Sequence, residues 1–159
     1  MTAWVSLVMV VIPAAAQTPE EDAVRSVVQQ LFAGMEKGDS AMVGSTFRSD
    51  VAFVTISRDR QNNPRFEREN SPDEFLNAVG TPHAEAWHEE IWNLSIRVDG
   101  DFAQAWCNYA FYLGSTFSHC GMDAFQLYRE KTGWKIFQLA DTRRKEPCEV
   151  PDTIRMKHR

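Results

Sequence analysis

The chain has 159 residues, 43% of them hydrophobic and 11% aromatic, and a formal net charge of −5 at pH 7. This size and apolar content suffice for one domain with its own core. Its lysines and arginines are scattered among acidic residues, so no basic stripe suits a phosphate backbone, and nucleic-acid binding is disfavoured. The sequence also lacks a Gly-x-Ser-x-Gly elbow, a phosphate loop and a dinucleotide fingerprint, so nucleophilic hydrolases and nucleotide enzymes have no support.

Residues 1–16 are typical of a secretory signal peptide. An apolar run, residues 4–12 with Ser6 as its one polar residue, is followed by Pro13 and by an A-x-A cleavage site that ends at Ala16. The run is too short for a stable membrane span. No Lys or Arg precedes it, so a retained apolar N-terminus is the alternative. We expect a secreted or periplasmic protein.

Three helices are predicted in the first half of the mature chain. Residues 18–22 combine a capping threonine, a proline and three acidic residues, and helical apolar spacing follows until Gly38 ends the helix. A second, short helix is predicted over residues 39–47. The Ser-Pro-Asp-Glu sequence that opens residues 71–79 indicates the third helix.

The β pattern begins between the second and third helices. Residues 50–57 form a β-branched strand, and the Arg- and Asn-rich residues 58–70 suggest an exposed loop or a ragged hairpin. Four long strands are predicted after the third helix, at about 86–98, 101–114, 119–131 and 133–143.

The last residues, 146–159, contain two prolines and are expected to form a loose tail with Cys148 as its tether. Helices followed by antiparallel strands predict an α+β fold, with helices packed on one face of a strongly bent sheet that curls into a cone.

Three stretches resemble the nuclear transport factor 2-like superfamily, which includes ketosteroid isomerase, scytalone dehydratase and the SnoaL-like polyketide cyclases. They are residues 32–39 (FAGMEKGD), 98–103 (VDGDFA) and 133–136 (GWKI). The resemblance spans about residues 20–145, within a predicted SnoaL-like domain at 17–145. Residues 118–121 (SHCG) and 140–144 (ADTRR) are similar to an uncharacterised exported bacterial group. This fold hosts enzymes, binders and adaptors alike, so the resemblance implies a fold and leaves the activity open.

Turn chemistry predicts the strand register. If Asp99 and Gly100 are the central residues of a two-residue hairpin, Glu90 lies opposite Tyr109. A glycine-containing turn at 131–133 places Asp123 opposite Asp141. Because cross-strand partners share a face, apolar rows on the inner face end in a row of ionisable side chains.

This inner row is the candidate site. Crowded carboxyl groups on an apolar floor raise one another's pKa, which suits a general base or a neutral hydrogen-bond donor. The predicted catalytic residues are Asp123, Tyr109 and Asp141, and the predicted ligand-binding residues are Glu90, His88, Trp92, Cys107, Phe125 and His119.

Structural alternatives remain for the same residues. The row can equally be a network in which Asp141 pairs with an arginine and Asp123 with Tyr109, and His119 can be a loop histidine satisfied by the backbone. The sequence at His88 lacks the second histidine of a zinc helix, so neither a metal nor another cofactor is implied.

The three cysteines allow one disulfide in an oxidising compartment. The register places Cys107 inside the sheet as the odd one. Cys120 and Cys148 then form the bridge or remain two free thiols.

Two functions follow. The first is an exported protein that binds a small apolar or aromatic ligand in the cone, with cofactor-independent isomerase, dehydratase or cyclase chemistry as an extension. The second is a non-catalytic dimeric module with a filled cone. Both use a homodimer through the outer sheet face, and a cavity of about 300 Å³ or more favours the first.

Overall fold

The computed structural model describes residues 18–159. The predicted signal peptide lies outside the described residues, and its assignment stays a prediction. None of the described helices is long and apolar enough to cross a membrane.

Within residues 18–159 the chain forms four helices and six strands. The helices are α1 (Pro19–Lys37), α2 (Ser40–Gly44), α3 (Asp73–Gly80) and α4 (Asp152–Lys157), and the strands are β1 (Phe47–Arg58), β2 (Pro64–Glu69), β3 (Trp87–Asp99), β4 (Phe102–Leu113), β5 (Thr116–Glu130) and β6 (Gly133–Thr142). These strands form one curved, unclosed sheet in the order β2-β1-β6-β5-β4-β3. Strands β1 and β6 are parallel, and the other neighbours are antiparallel. The predicted α+β class is confirmed.

Helix α1 begins and ends as predicted because its terminal backbone groups find local partners. Thr18 Oγ1 accepts the Glu21 N–H at 3.2 Å, and Glu21 accepts the Thr18 N–H at 2.8 Å, which completes a capping box. Gly38 ends the helix with φ 65°, where glycine is favoured. The apolar face of α1 packs inside the curved sheet, where Val28 and Leu31 are buried.

The first strand is longer than predicted, and a second strand follows it. Helix α2 ends at Gly44, so Phe47 opens β1 instead of closing the helix. Residues 58–70 form the hairpin alternative: β2 pairs antiparallel with β1, from Arg58 opposite Pro64 back to Phe53 opposite Glu69.

The β3–β4 hairpin turns one residue later than predicted. Its central residues are Gly100 and Asp101, and Asp99 pairs with Phe102. Of these two central residues only Gly100 takes a positive φ, at 56°, so a single left-handed residue is sufficient for this turn. Each residue's cross-strand partner therefore changes by two positions, so that Val98 pairs with Ala103 instead of Asp101. Because two is an even number, this change leaves both strands on their predicted faces.

A β-bulge in β3 does exchange the two faces. The β3–β4 register shifts by one residue around Asn93, which takes φ 55°. An extra residue in one strand reverses the alternation on one side of it. Before the bulge Glu89 therefore faces the inside, and the predicted inward positions of His88, Glu90 and Trp92 are wrong.

The register of β5 also differs, but by an even number of residues, so its faces are as predicted. Asp123 pairs with Asp141 as expected, whereas on the β4 side Cys107 lies opposite Asp123 and Tyr109 lies opposite Gly121. Strand β5 starts three residues earlier than predicted, and a bulge between Phe111 and Tyr112 makes the net shift even.

A register shift between β5 and β6 places Phe137 on the outer face. Ile136 and Trp134 are buried in the core instead, and the Trp134 Nε1–H donates to Glu20 at 3.2 Å. Regular alternation from the predicted turn at 131–133 places Phe137 inside and Trp134 outside, and the register shift reverses both positions.

A disulfide ties the tail to the sheet. Cys120 in β5 is bonded to Cys148, and Cys107 is the free and buried cysteine. Of the two predicted alternatives for Cys120 and Cys148, a disulfide or two free thiols, the structure contains the disulfide.

The tail is docked, so the prediction of a loose tail is wrong. The His158 ring stacks on Tyr112 with centroids 3.9 Å apart. Lys157 Nζ and His158 Nε2 lie 2.8 and 3.1 Å from the Glu90 carboxylate. Ile154 of α4 packs in a small cluster on the outer face of the sheet.

Candidate functional site

A cavity of about 340 Å³ lies between the curved sheet and the helices. Its volume exceeds the threshold of about 300 Å³ that favours ligand binding over a filled cone. Apolar side chains from α1, α3, β1 and β6 form one part of the wall: Leu31, Phe32, Met35, Phe53, Phe75 and Leu139. Polar side chains form the rest: Thr55, Glu67, Glu69, Glu74, Glu89, Tyr109, His119, Asp123, Asp141 and Arg143.

Glu89 and Asp123 form a carboxyl pair in this wall. Asp123 is 3% exposed, and its Oδ2 has no hydrogen-bond partner in the described part of the chain. Burial and the neighbouring Glu89 and Asp141 carboxylates raise the pKa of Asp123 well above its usual value. Burial and Asp141 raise the pKa of Glu89 to about 7. Near neutral pH the pair therefore holds a proton that two ordinary carboxylates would have lost.

Tyr109, Asp141 and Arg143 form a second polar group beside the pair. The Tyr109 hydroxyl lies 3.3 Å from Asp141 Oδ2 and 3.0 Å from the Thr142 carbonyl oxygen. Asp141 also accepts hydrogen bonds from Thr55 at 2.6 Å and from Arg143 at 3.2 Å. Burial and the surrounding carboxylates raise the pKa of Tyr109, so it stays protonated. With its carboxylate held by three donors, Asp141 is an orienting and charge-balancing group.

Gly121 makes this arrangement possible. A Cβ atom built on Gly121 would lie 1.6 Å from the Thr142 carbonyl oxygen and 2.7 Å from Cε1 of Tyr109. Both distances are well inside van der Waals contact. The absence of a side chain at this position therefore lets the Tyr109 ring cross β5 and reach β6.

His119 lines the cavity as a neutral group. Burial, followed by the charge of Arg143, lowers its pKa to about 4. Its Nδ1 lies 3.0 Å from the Ser118 hydroxyl, and its ring contacts Tyr109 and Phe111 with centroids 5.7 and 5.1 Å apart. It is thus held by a side chain, in contrast to the predicted backbone alternative.

Four of the nine predicted site residues line the cavity: Asp123, Tyr109, Asp141 and His119. Cys107 and Phe125 lie behind the wall in the core. Trp92 packs with the tail on the outer face, and Glu90 binds the tail. His88 lies at the sheet edge, with its Nδ1 3.3 Å from Glu36 of α1 and its ring centroid 5.4 Å from that of His158 in the tail.

The sequence reasoning missed the side chains that other elements bring to the wall. Glu89 was missed because of the bulge. Phe53 and Thr55 alternate along β1, and Glu67 and Glu69 alternate along β2, so a strand pattern in residues 64–69 was the available signal. No set of three His, Cys, Asp or Glu side chains within the described residues is placed to hold a metal ion.

A model of the family described as "Putative lumazine-binding" matches residues 19–139. The chain belongs to this family. In a comparison with curated proteins, nothing matches the chain.

Solved structures show that this lumazine-binding-family chain has the nuclear transport factor 2-like fold. One is an NTF2-like protein with a cystatin-like fold from Novosphingobium aromaticivorans (12% identity, TM-score 0.65, 86% of this chain and 87% of that chain covered). Another is the β subunit of a "putative aromatic-ring-hydroxylating dioxygenase" from the same organism (12%, 0.64, 80% and 90%). A third is a "putative dehydratase" of the NTF2-like family from Streptomyces avermitilis (15%, 0.61, 79% and 96%). The predicted superfamily is confirmed.

Proposed function

We propose that this chain is an exported small-molecule-binding protein that holds a flat organic ligand in the cavity and transfers protons to or from it without a cofactor. The Asp123 carboxyl group carries the proposal, because it is buried in the wall of a 340 Å³ cavity and, apart from the proton that it shares with Glu89, its Oδ2 receives no hydrogen bond within residues 18–159. A buried polar atom without a partner is costly, and a ligand N–H or O–H would supply the missing hydrogen bond.

The shared proton supports acid–base chemistry. Glu89, with a pKa of about 7, is poised to gain or lose a proton near neutral pH. The pair can therefore accept a proton at one carboxyl group and return it from the other, as isomerases, dehydratases and cyclases require. Tyr109 is occupied by Asp141 and the Thr142 carbonyl, so its role is to position this wall.

The family description names lumazine, a flat bicyclic nitrogen heterocycle with N–H donors. Such a molecule suits both parts of the wall. Its ring would lie against side chains such as Phe32, Phe53 and Phe75, and its N–H would donate to Asp123.

We expect the exported protein to retain a small molecule through purification, which native mass spectrometry would detect. Asp123→Asn should weaken its binding by at least about tenfold, because one acceptor oxygen becomes a donor. Asp99→Asn, the same substitution at the exposed far end of β3, should retain the molecule. In D₂O the wild type should catalyse deuterium exchange into that molecule, and Asp123→Asn should not.

Two results would contradict this function. One is a wild-type chain that carries no small molecule and whose Tyr109 and His119 NMR signals do not move with any member of an aromatic fragment library. The other is an Asp123→Asn variant that binds and exchanges as the wild type does.

We also infer a homodimer through the outer sheet face. Trp106, Tyr128 and Phe102 are 46%, 45% and 44% exposed there, next to one another on β4 and β5. Amphipathic aromatic side chains of this kind are enriched in protein interfaces. The docked tail covers Tyr112, so the proposed contact lies at the other end of the strands.

Sedimentation velocity tests this dimer. Trp106→Gln should shift the chain from dimer to monomer at micromolar concentration, whereas Phe66→Gln, an exposed aromatic on β2, should leave the dimer intact. A wild-type chain that sediments as a monomer, or equal effects of the two substitutions, would rule out this interface.

A further inference from the structure

The charge in the cavity wall is strongly one-sided. Among the described residues, one guanidinium group (Arg143) faces six carboxyl groups, which belong to Glu67, Glu69, Glu74, Glu89, Asp123 and Asp141. Arg143 is paired with Asp141 at 3.2 Å, and Glu67 is paired with Arg65. The other four carboxyl groups have no salt-bridge partner within residues 18–159. A negatively charged ligand would therefore meet net repulsion from the polar part of this wall.

These carboxyl groups occupy two depths. Glu69 and Glu74 are exposed and lie at the solvent side of the cavity. Glu69 reaches the cavity because it pairs with Phe53, which lies in the wall, and cross-strand partners share a face. Asp123 is buried at the inner end, with Oδ2 unpartnered. A ligand thus passes exposed negative charge before it reaches a buried acceptor.

The apolar half of the wall limits what the positive ligand can be. Phe32, Phe53 and Phe75 lie beside the carboxyl groups, so an aromatic body can stack there and a cation can lie over a ring face. A bare metal ion is disfavoured, because no three of the His, Cys, Asp and Glu side chains in the described part of the chain are placed to hold one. An organic cation satisfies both halves.

We propose that the ligand of this cavity is an organic cation, namely a protonated amine or amidine on a flat apolar body, whose N–H donates to the Glu89–Asp123 carboxyl pair. This inference rests on the proposed function and specifies the chemical class of its ligand. The positive group compensates the buried carboxyl pair, and the exposed glutamates favour its entry by long-range attraction.

Three bicyclic probes of nearly equal shape test the proposal: 2-naphthylmethylamine (a cation), 2-naphthylmethanol (neutral) and 2-naphthoate (an anion). Calorimetry at pH 7 and low salt should give the amine at least about tenfold tighter binding than the alcohol, and the carboxylate the weakest. Glu69→Gln should reduce the amine's advantage over the alcohol about two- to threefold with little change in alcohol binding. Asp123→Asn should remove most of that advantage, and Asp99→Asn should leave all three affinities unchanged.

The outcomes separate this inference from the proposed function. Alcohol or carboxylate binding as tight as amine binding would overturn the cation preference and leave small-molecule binding in place. The inference would also be wrong if the amine still bound more tightly than the alcohol by the same factor in Asp123→Asn, because another group would then recognise the positive charge. If none of the probes moves the NMR signals of the cavity residues Tyr109 and His119, the proposed function fails together with the inference. Glu69→Gln lies on an exposed edge strand, so its result does not depend on a buried substitution.

Discussion

Glu89→Gln should stabilise the fold at pH 8 by on the order of 2 kcal/mol, a figure scaled from about 1.4 kcal/mol per pKa unit and reduced for partial exposure. The folded-state pKa of Glu89 is raised from 4.5 to about 7, mainly by burial. The folded chain therefore holds a proton that the unfolded chain releases above pH 4.5. The contribution of Glu89 to the stability is highest below that pH, falls as the pH rises to about 7, and stays low above it. Glutamine cannot ionise and escapes this loss.

Urea unfolding of both chains at pH 5 and pH 8 checks this expectation. The stabilisation should be small at pH 5 and full at pH 8. If Glu89→Gln changed the free energy of unfolding equally at the two pH values, Glu89 would ionise as an ordinary surface carboxyl group. The hypothesis of a shared proton would then be wrong.

The neighbouring residue provides a matched control. Burial raises the pKa of Glu90, but hydrogen bonds from Lys157 and His158 outweigh it and lower the pKa overall. Glu90→Gln should therefore destabilise the fold at pH 8 by up to about 1 kcal/mol, the usual range for a partly exposed ion pair. If Glu89→Gln stabilises the fold and Glu90→Gln destabilises it, then Glu89 faces the cavity and Glu90 faces the tail, as the bulge requires. If Glu90→Gln stabilises instead, the regular register without a bulge is the correct one.

Gly121→Ala should destabilise the fold by about 3 kcal/mol, the upper part of the usual range for an overpacked interior site. The new methyl group would lie 1.6 Å from a backbone oxygen of Thr142, which cannot move without β6. The same methyl group would push the Tyr109 ring away from Asp141. We therefore expect a large fall in the thermal midpoint and a changed near-UV circular dichroism spectrum of Tyr109.

Two comparisons make this expectation specific. A Cβ atom at Gly44 would meet Leu76 at 3.4 Å, which is ordinary contact, so Gly44→Ala should be tolerated. Tyr109→Phe removes only the hydroxyl and should cost about 1 kcal/mol, the usual net contribution of one hydrogen bond. A Gly121→Ala chain as stable as Gly44→Ala would contradict the close approach of β5 and β6.

Local signals predicted most of the fold because they agree with the global structure. The capping sequence at residues 18–22, Gly38 and the β alternation after residue 86 each act within a few residues, and they give α1, its end and the four long strands. The faces of β4 and β5 also agree with the prediction, but only because a bulge between Phe111 and Tyr112 offsets the odd change in the length of the turn.

The parts that failed depend on contacts between distant residues. Asn93 has no local sequence signal beyond the tolerance of asparagine for a positive φ, yet it decides which glutamate enters the cavity. The tail docks because Cys148 is bonded to Cys120, 28 positions earlier, and no periodicity reports such a link. The wall from β1, β2 and α3 forms only when β1 lies parallel to β6.

The left-handed backbone at Asn93 has an evolutionary corollary. Residues 87–92 present alternate side chains to the cavity and to the outer face where the tail docks. A single inserted residue determines which side chains face which environment. Deleting it, or moving it beyond Trp87, would trade the two sets and would also take Trp87 and Ile91 out of their contacts with the core. A lineage built on this scaffold could thereby acquire new cavity chemistry through one insertion or deletion, without a series of point substitutions.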